Sequence, residues 1–127
     1  MTNKSLENKA VDIKGKKYVL VSDRVIYFNE TFVKGSIRTK LLSKTDDSNI
    51  VVRATVDPGD GRKFVAHAQE VVGEGYINKT SALENAETSA VGRALALMGI
   101  GVIDSIASVD EMNKAGNRVK HITLEEI

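Results

Sequence analysis

The chain of 127 residues contains no cysteine and no tryptophan, and it has a single proline. Without cysteine it can form neither a disulfide framework nor a thiolate metal site, which is typical of a cytosolic protein. Aromatic residues make up 5% of the sequence, and no apolar run is long enough to span a membrane. The polar first residues do not predict a signal peptide. What remains is a globular domain of ordinary composition, with 42% hydrophobic and 28% charged residues.

The sequence also lacks an excess of charge of either sign. Its net charge is +1, which by itself disfavours a strongly basic nucleic-acid clamp. The charges are nevertheless unevenly distributed. Residues 1–79 hold 14 basic and 10 acidic side chains, whereas residues 80–127 hold 4 and 7. The first part of the chain is therefore mildly basic.

Catalytic residue patterns are scarce. The two histidines, His67 and His121, are far apart in sequence, and no cluster has the spacing of a metal site. Residues 59–63 (GDGRK) form a hairpin sequence and not a phosphate-binding loop, and Gly99-Ile100-Gly101 follows a helix instead of a strand. We therefore expect no enzyme activity, no metal and no cofactor.

Residues 80–101 (TSALENAETSAVGRALALMGIG) predict a long helix with both ends specified. Ser81 and Glu84 have the spacing of a capping box, and Gly99 and Gly101 favour a left-handed end. One side is an alanine-rich apolar stripe, and the other side is neither strongly charged nor apolar. We expect this helix either to pack on both sides or to bind a ligand with its second side, which carries Asn85, Ser89, Gly92 and Arg93.

The remaining elements follow from hydrophobic period and turn residues. Val21, Val25, Phe28 and Phe32 recur at helical spacing, which favours a short helix over residues 23–31, although its β-branched and aromatic residues also suit a strand. Alternating patterns separated by tight turns predict an antiparallel meander. Its strands cover residues 36–44, 50–56 and 62–72, and a second capping box at residues 108–111 starts a short helix that ends near Gly116.

The predicted fold class is α+β. Its elements are a short helix, a three-stranded antiparallel β-meander, a long helix packed on the sheet and a short C-terminal helix, around a β-β-β-α core. The predicted organisation is a flexible N-terminal arm over residues 1–16, which has room for a short edge strand, one domain over residues 17–116, and a C-terminal tail over residues 117–127.

The side of the predicted sheet that faces away from the core is rich in cations. A cationic surface of this kind can neutralise phosphates and release counterions, although a solvated sheet face is also polar by default. The outward-facing residues are Arg38, Lys40, Arg53, Lys63 and His67.

A second group of candidate binding residues surrounds the long helix. Lys79 precedes its first turn, where helix N-termini attract phosphate, and Tyr76 could stack on a base. Arg93 is suited either to a ligand or to a salt bridge within or between subunits. The alternative for Tyr76 is a side chain packed under the loop, and the alternative for Lys79 is a side chain in solvent.

The long helix and the following SIASVDEM (residues 105–112) resemble a motif of phage-encoded single-strand annealing proteins of the Erf/Sak type. The preceding order, with DRVIYFNETF, GSIRTKLL and a glycine-rich turn, is similar to that group over residues 18–113. The resemblance implies a homo-oligomeric ring or filament in the bacterial host cytoplasm that binds single-stranded DNA and anneals it without ATP. It assigns DNA contacts to Lys79, Asn85 and Arg93 and to the basic residues of the sheet.

Two other functions fit the same residues. One is an oligomeric binder, or sponge, of a small nucleotide or another anionic ligand in phage anti-defence, with Lys79 and Arg93 around a pocket. The other is a partner-binding module whose alanine-rich helix docks against another helix. No membrane partner is expected.

Overall fold

The structure is a computed structural model that describes residues 4–44, 47–73 and 78–102. Two helices, α2 (Val21–Thr31) and α3 (Asn78–Leu97), accompany a sheet of three strands, β3 (Ser36–Leu41), β4 (Asn49–Asp57) and β5 (Phe64–Val71). A short helix, α1 (Lys4–Glu7), and a hairpin of β1 (Val11–Ile13) and β2 (Lys16–Tyr18) precede them. The predicted α+β class, with a three-stranded antiparallel sheet and helices packed on it, is confirmed.

The sheet has the order β3-β4-β5 with both neighbours antiparallel. Strand β4 alternates strictly, so that Ile50, Val52, Ala54 and Val56 are buried on one face. We call this the inner face, and the opposite one the outer face. Because side chains alternate along each strand, the register fixes which residues of β3 and β5 share each face. Strand β3 is shorter than the predicted range, and Arg62 and Lys63 precede β5 instead of belonging to it.

Helix α3 lies on the inner face over β4 and β5. Its stripe of small residues allows close approach to the sheet: Ala86, Ala90 and Ala94 are fully buried. The helix ends in a Schellman motif, in which the Gly99 N–H bonds Ala96 and the Ile100 N–H bonds Leu95. Gly99 has a φ of +92°, so the predicted glycine end is confirmed.

The other side of α3 is also packed. Ser89 and Gly92 are buried, and a Cβ built on Gly92 would come within 2.8 Å of Val21 in α2. Of the two expectations for this helix, packing on both sides is the one observed over these residues. Ser81 has non-helical angles (φ −137°, ψ 28°), so α3 bends near the predicted start of the helix.

Residues 4–18 form a short helix and a two-stranded hairpin, which is more regular structure than the predicted arm with room for a short edge strand. Between β1 and β2, Lys14 and Gly15 both have positive φ (53° and 84°), as a two-residue hairpin turn with the twist of its strands requires. Tyr18, at the end of β2, is buried beside α2. The predicted helix after the capping box at residues 108–111 and the tail over residues 117–127 lie outside the described residues.

Candidate nucleic-acid interface

The basic side chains of the outer face are brought together by strand register. Lys40 pairs with Arg53, and Arg53 pairs with His67, so these three side chains form a row across all three strands. Arg38 lies two residues before Lys40 on the same face, opposite Thr55. The four residues Arg38, Lys40, Arg53 and His67 are named here the basic row.

The basic row is compact and accessible. Neighbouring strands are about 4.8 Å apart, so the row spans about 10 Å across the sheet, and Arg38 and Lys40 are separated by about 7 Å along β3. Arg38, Lys40 and His67 are exposed, and Arg53 is half-buried. A shallow hollow of about 270 Å³ opens among them, lined by Arg38, Thr39, Lys40, Arg53 and Thr55.

Few acids oppose these cations. Within the described strands, Asp57 is the acidic residue at an outer position, and its carboxylate accepts a hydrogen bond from the Gly59 N–H at 2.8 Å, at the loop end of the sheet. An ion pair joins Arg62 to Asp60 at 2.8 Å, and hydrogen bonding from the Arg62 side chain lowers the pKa of Asp60. Arg38, Lys40 and Arg53 therefore keep their charges available, whereas Arg62 is engaged locally.

Within the strands described, the outer face carries no phenylalanine, tyrosine or tryptophan, and its aromatic ring is the imidazole of His67. Around the basic row its positions are aliphatic or small and polar, and none is aromatic. Proteins that bind single strands rely on aromatic rings on which successive bases stack. Ionic contact with phosphates is therefore the chemistry that this face can offer. The neutral neighbours are Val51, Thr55, Val65, Gln69 and Val71.

The predicted site residues fall into separate groups. Arg38, Lys40 and Arg53 share the outer face, and Lys63 is exposed one residue before β5. Asn85 and Arg93 are half-buried on α3, on the opposite side of the sheet. Tyr76 and the side chain of Lys79 lie outside the described residues. One flat ligand on the sheet cannot contact Arg93 and the basic row together, because the sheet separates them.

Sequence reasoning missed a buried cation, Arg24. Its side chain is 2% exposed, and it donates to the Gly92 carbonyl at 3.0 Å and to the Tyr18 hydroxyl at 3.1 Å. Burial lowers the pKa of Arg24, and the Tyr18 side chain partly offsets this effect. The helical spacing gave a signal for this burial. Position 24 follows Val21 by three residues and precedes Phe28 by four, so it lies on the same face of α2 as these apolar residues. Arg24 ties α2 to α3 and is not accessible to a ligand.

Two further features concern residues 4–44, 47–73 and 78–102. No group of histidine and acidic side chains there could hold a metal ion. None of the helices described is both long and apolar enough to cross a membrane.

Comparison with known proteins places the chain in a family. The family model described as Slr1353 N-terminal dsRNA-binding domain-like matches residues 26–98, which is more than half of the chain. The chain belongs to this family. The matched range contains most of α2, all of the three-stranded sheet and α3. No curated protein and no solved structure matches the chain.

This match corrects the resemblance inferred from the sequence. The assignment to phage annealing proteins of the Erf/Sak type is wrong, because the matching family is a double-stranded-RNA-binding-like one. The motif that carried the resemblance consists mainly of a capping box, an alanine stripe and a glycine end. These features specify a helix that packs closely on a sheet, so they recur in unrelated proteins. Annealing and a phage origin lose their support with it.

Proposed function

We propose that this domain binds nucleic acid through the phosphate backbone, with duplex RNA as its preferred ligand and without a catalytic step. The observation that carries the proposal is the basic row, Lys40–Arg53–His67 with Arg38 beside it, on a face with no ion pairs among the described residues. Cations of this kind displace condensed counterions from a nucleic acid, so the affinity falls steeply with salt.

Two observations favour a duplex over a single strand. The strands described carry no phenylalanine, tyrosine or tryptophan on the outer face, whereas sequence-tolerant binding of single strands relies on base stacking on such rings. Double-stranded RNA is bound mostly through its shape and through phosphate and 2′-hydroxyl contacts. The family description, dsRNA-binding domain-like, agrees with this choice.

The first test compares four ligands of one sequence by fluorescence anisotropy: duplex RNA, duplex DNA, single-stranded RNA and single-stranded DNA. Each is titrated with the full chain over a series of salt concentrations. We expect the tightest binding to duplex RNA and a linear fall of log K with log salt. Preference for either single strand would contradict the duplex assignment, and the absence of binding to all four at low salt would contradict nucleic-acid binding.

The second test locates the interface. Arg53→Gln and Lys40→Gln each remove one phosphate contact, so we expect about three- to tenfold weaker binding and a salt slope reduced by about one. Arg62→Gln is the matched control, because Arg62 is exposed and near the same sheet but is held by Asp60. Equal losses in all three variants would show that total charge, and not the basic row, determines affinity.

A small anionic ligand is tested in the same assay. The hollow among Arg38, Lys40 and Arg53 holds about 270 Å³ and is open to solvent. A phosphate could lie there, but a mononucleotide would leave most of its surface exposed, unlike a ligand in a typical pocket. We therefore expect cyclic mononucleotides to compete only weakly with duplex RNA. Competition at micromolar concentration would favour the nucleotide-binding alternative.

A further inference from the structure

Strand β3 is an edge of the sheet, and its main chain is half unpaired. The Leu42 N–H bonds the Val51 carbonyl, and the register places these two residues opposite each other. In an antiparallel ladder, bonded and non-bonded pairs alternate. Arg38 and Lys40 therefore direct their main-chain groups towards β4. Ile37, Thr39 and Leu41 direct theirs to the free edge, where no described strand pairs with them.

A groove with an apolar wall at Val25, Ile26 and Ile37 and polar side chains at Ser22, Asn29 and Glu87 lies beside this free edge. It has a volume of about 650 Å³ and is bounded by α2, α3 and the inner face of β3. Val25, Ile26 and Ile37 contribute apolar surface, and Ile26 is 49% exposed. At the rim, the Thr39 hydroxyl donates a hydrogen bond to the Glu87 carboxylate at 2.7 Å. Ile37 and Thr39 therefore both line the groove with their side chains and direct their main-chain groups to the free edge.

We infer that β3 and this groove bind an extended segment of a partner protein, which adds a fourth strand to the sheet. Free N–H and C=O groups provide the main-chain bonds, and the groove receives alternate side chains, as in other cases of strand addition. The side chains that enter the groove are apolar, because they meet Val25, Ile26 and Ile37.

Charge determines which side chains the segment carries on the outer face. The side chains that alternate outwards would stand beside Arg38 and Lys40, which are exposed on the outer face. Opposite charges on adjacent strands are favourable, and like charges are unfavourable. The segment is therefore acidic at these positions. A second copy of β3 is disfavoured for the same reason, because it would place Arg38 and Lys40 against the same residues.

The experiment uses the full chain, labelled with ¹⁵N, and a short capped peptide that alternates valine with glutamate. Three control peptides are compared with it. The first alternates valine with lysine, and the second has the same composition with its valines grouped together. The third carries N-methyl groups on the amides that would donate hydrogen bonds to β3. We expect saturable shifts centred on Ile37, Thr39 and Leu41, with at least about tenfold weaker binding of every control. Equal binding of the N-methylated peptide would overturn strand pairing, and equal binding of the lysine peptide would overturn the acidic assignment.

Two substitutions test the groove itself. Ile26→Asp places a charge on its apolar wall, whereas Val33→Asp makes the same kind of change at a residue that is 85% exposed and does not line the groove. We expect Ile26→Asp to bind the peptide about tenfold more weakly and Val33→Asp to bind it as tightly as the parent chain does. Equal effects, no binding of any peptide, or self-association of the chain through β3 would each overturn the inference. No nucleic acid is present, so the outcome does not depend on the proposed function.

Discussion

At the scale of single residues, Arg24 is buried in a tightly packed region. Its guanidinium lies against Gly92, and a Cβ added to Gly101 would overlap its aliphatic stem. Within the described structure the positive charge is met by neutral acceptors, the Gly92 carbonyl and the Tyr18 hydroxyl, and by the Tyr18 ring at 5.6 Å. Burial of a charge costs free energy unless its hydrogen bonds are made. The two glycines leave the space that this arrangement requires.

We predict that Gly92→Ala destabilises the protein, although alanine is normally the better helix former by about 1 kcal/mol. The added Cβ would lie 2.8 Å from Val21 and 3.0 Å from the Arg24 guanidinium, in a packed region. Overpacking of this kind costs about 1–3 kcal/mol. Urea unfolding followed by circular dichroism measures the change. A stabilised variant would show that α2 and α3 are not packed as described.

The alternation of buried residues made the inner and outer faces predictable from the sequence, and Arg53 and His67 lie on the predicted side. The burial of Arg24 was not predicted from the sequence. Periodicity placed position 24 next to the apolar stripe, but a charged residue there is ordinarily read as solvent-exposed. One of its two acceptors, the Gly92 carbonyl, comes from a residue 68 positions later, and such a pairing is not visible in local sequence.

At the scale of elements, both ends of α3 carry local sequence signals. The Schellman motif at Gly99 gives the helix a defined end and directs Ile100 back into the core, where it is 3% exposed beside Leu95. The start is different, because the helix already begins at Asn78 and bends at Ser81. The capping box at Ser81 predicted a helix start, whereas helical residues already precede it from Asn78 and the helix bends at Ser81.

We predict a graded loss of stability at Gly99. Its φ of +92° is accessible to glycine, tolerated by asparagine and unfavourable for alanine. Gly99→Ala should therefore cost about 1–2 kcal/mol and Gly99→Asn less than half of that. Thermal unfolding of the two variants beside the parent chain gives the ranking. Similar values for both would argue against a left-handed helix end.

At the scale of the whole molecule, the two sides of the sheet differ in charge. The outer face carries the basic row. The described surface of α2 and α3 carries Asp23, Glu30, Glu84 and Glu87, whereas its arginines are buried or half-buried. A net charge of +1 therefore conceals two surfaces of opposite sign. The sequence showed this separation of charge only as an excess of basic residues before residue 80. The two surfaces are defined by the side of the sheet on which each residue lies, and sequence order does not give that directly.

This polarity predicts that position, and not total charge, controls affinity for nucleic acid. Thr55→Lys adds one positive charge beside Arg38 on the outer face, whereas Glu30→Lys changes the charge by two units on the helical side. Exposed charges farther apart than about 8–10 Å are largely screened at physiological salt. We expect Thr55→Lys to bind duplex RNA about threefold more tightly and Glu30→Lys to change affinity by less than a factor of two. The reverse order in an anisotropy titration would contradict the assignment of the outer face.

The alternation along β3 has a consequence for how this protein tolerates change. Even-numbered residues carry the basic side chains and bond to β4, whereas odd-numbered residues carry the inner side chains and the free edge. Substitutions at one set therefore leave the other set in place, so two surfaces on a single strand can diverge independently during evolution. Deletion of a single residue within the strand has the opposite effect. It would shift the residues on one side of the deletion to the opposite face, turning basic side chains towards the core and inner side chains towards solvent, so natural length variation is expected in the flanking loops and not within β3.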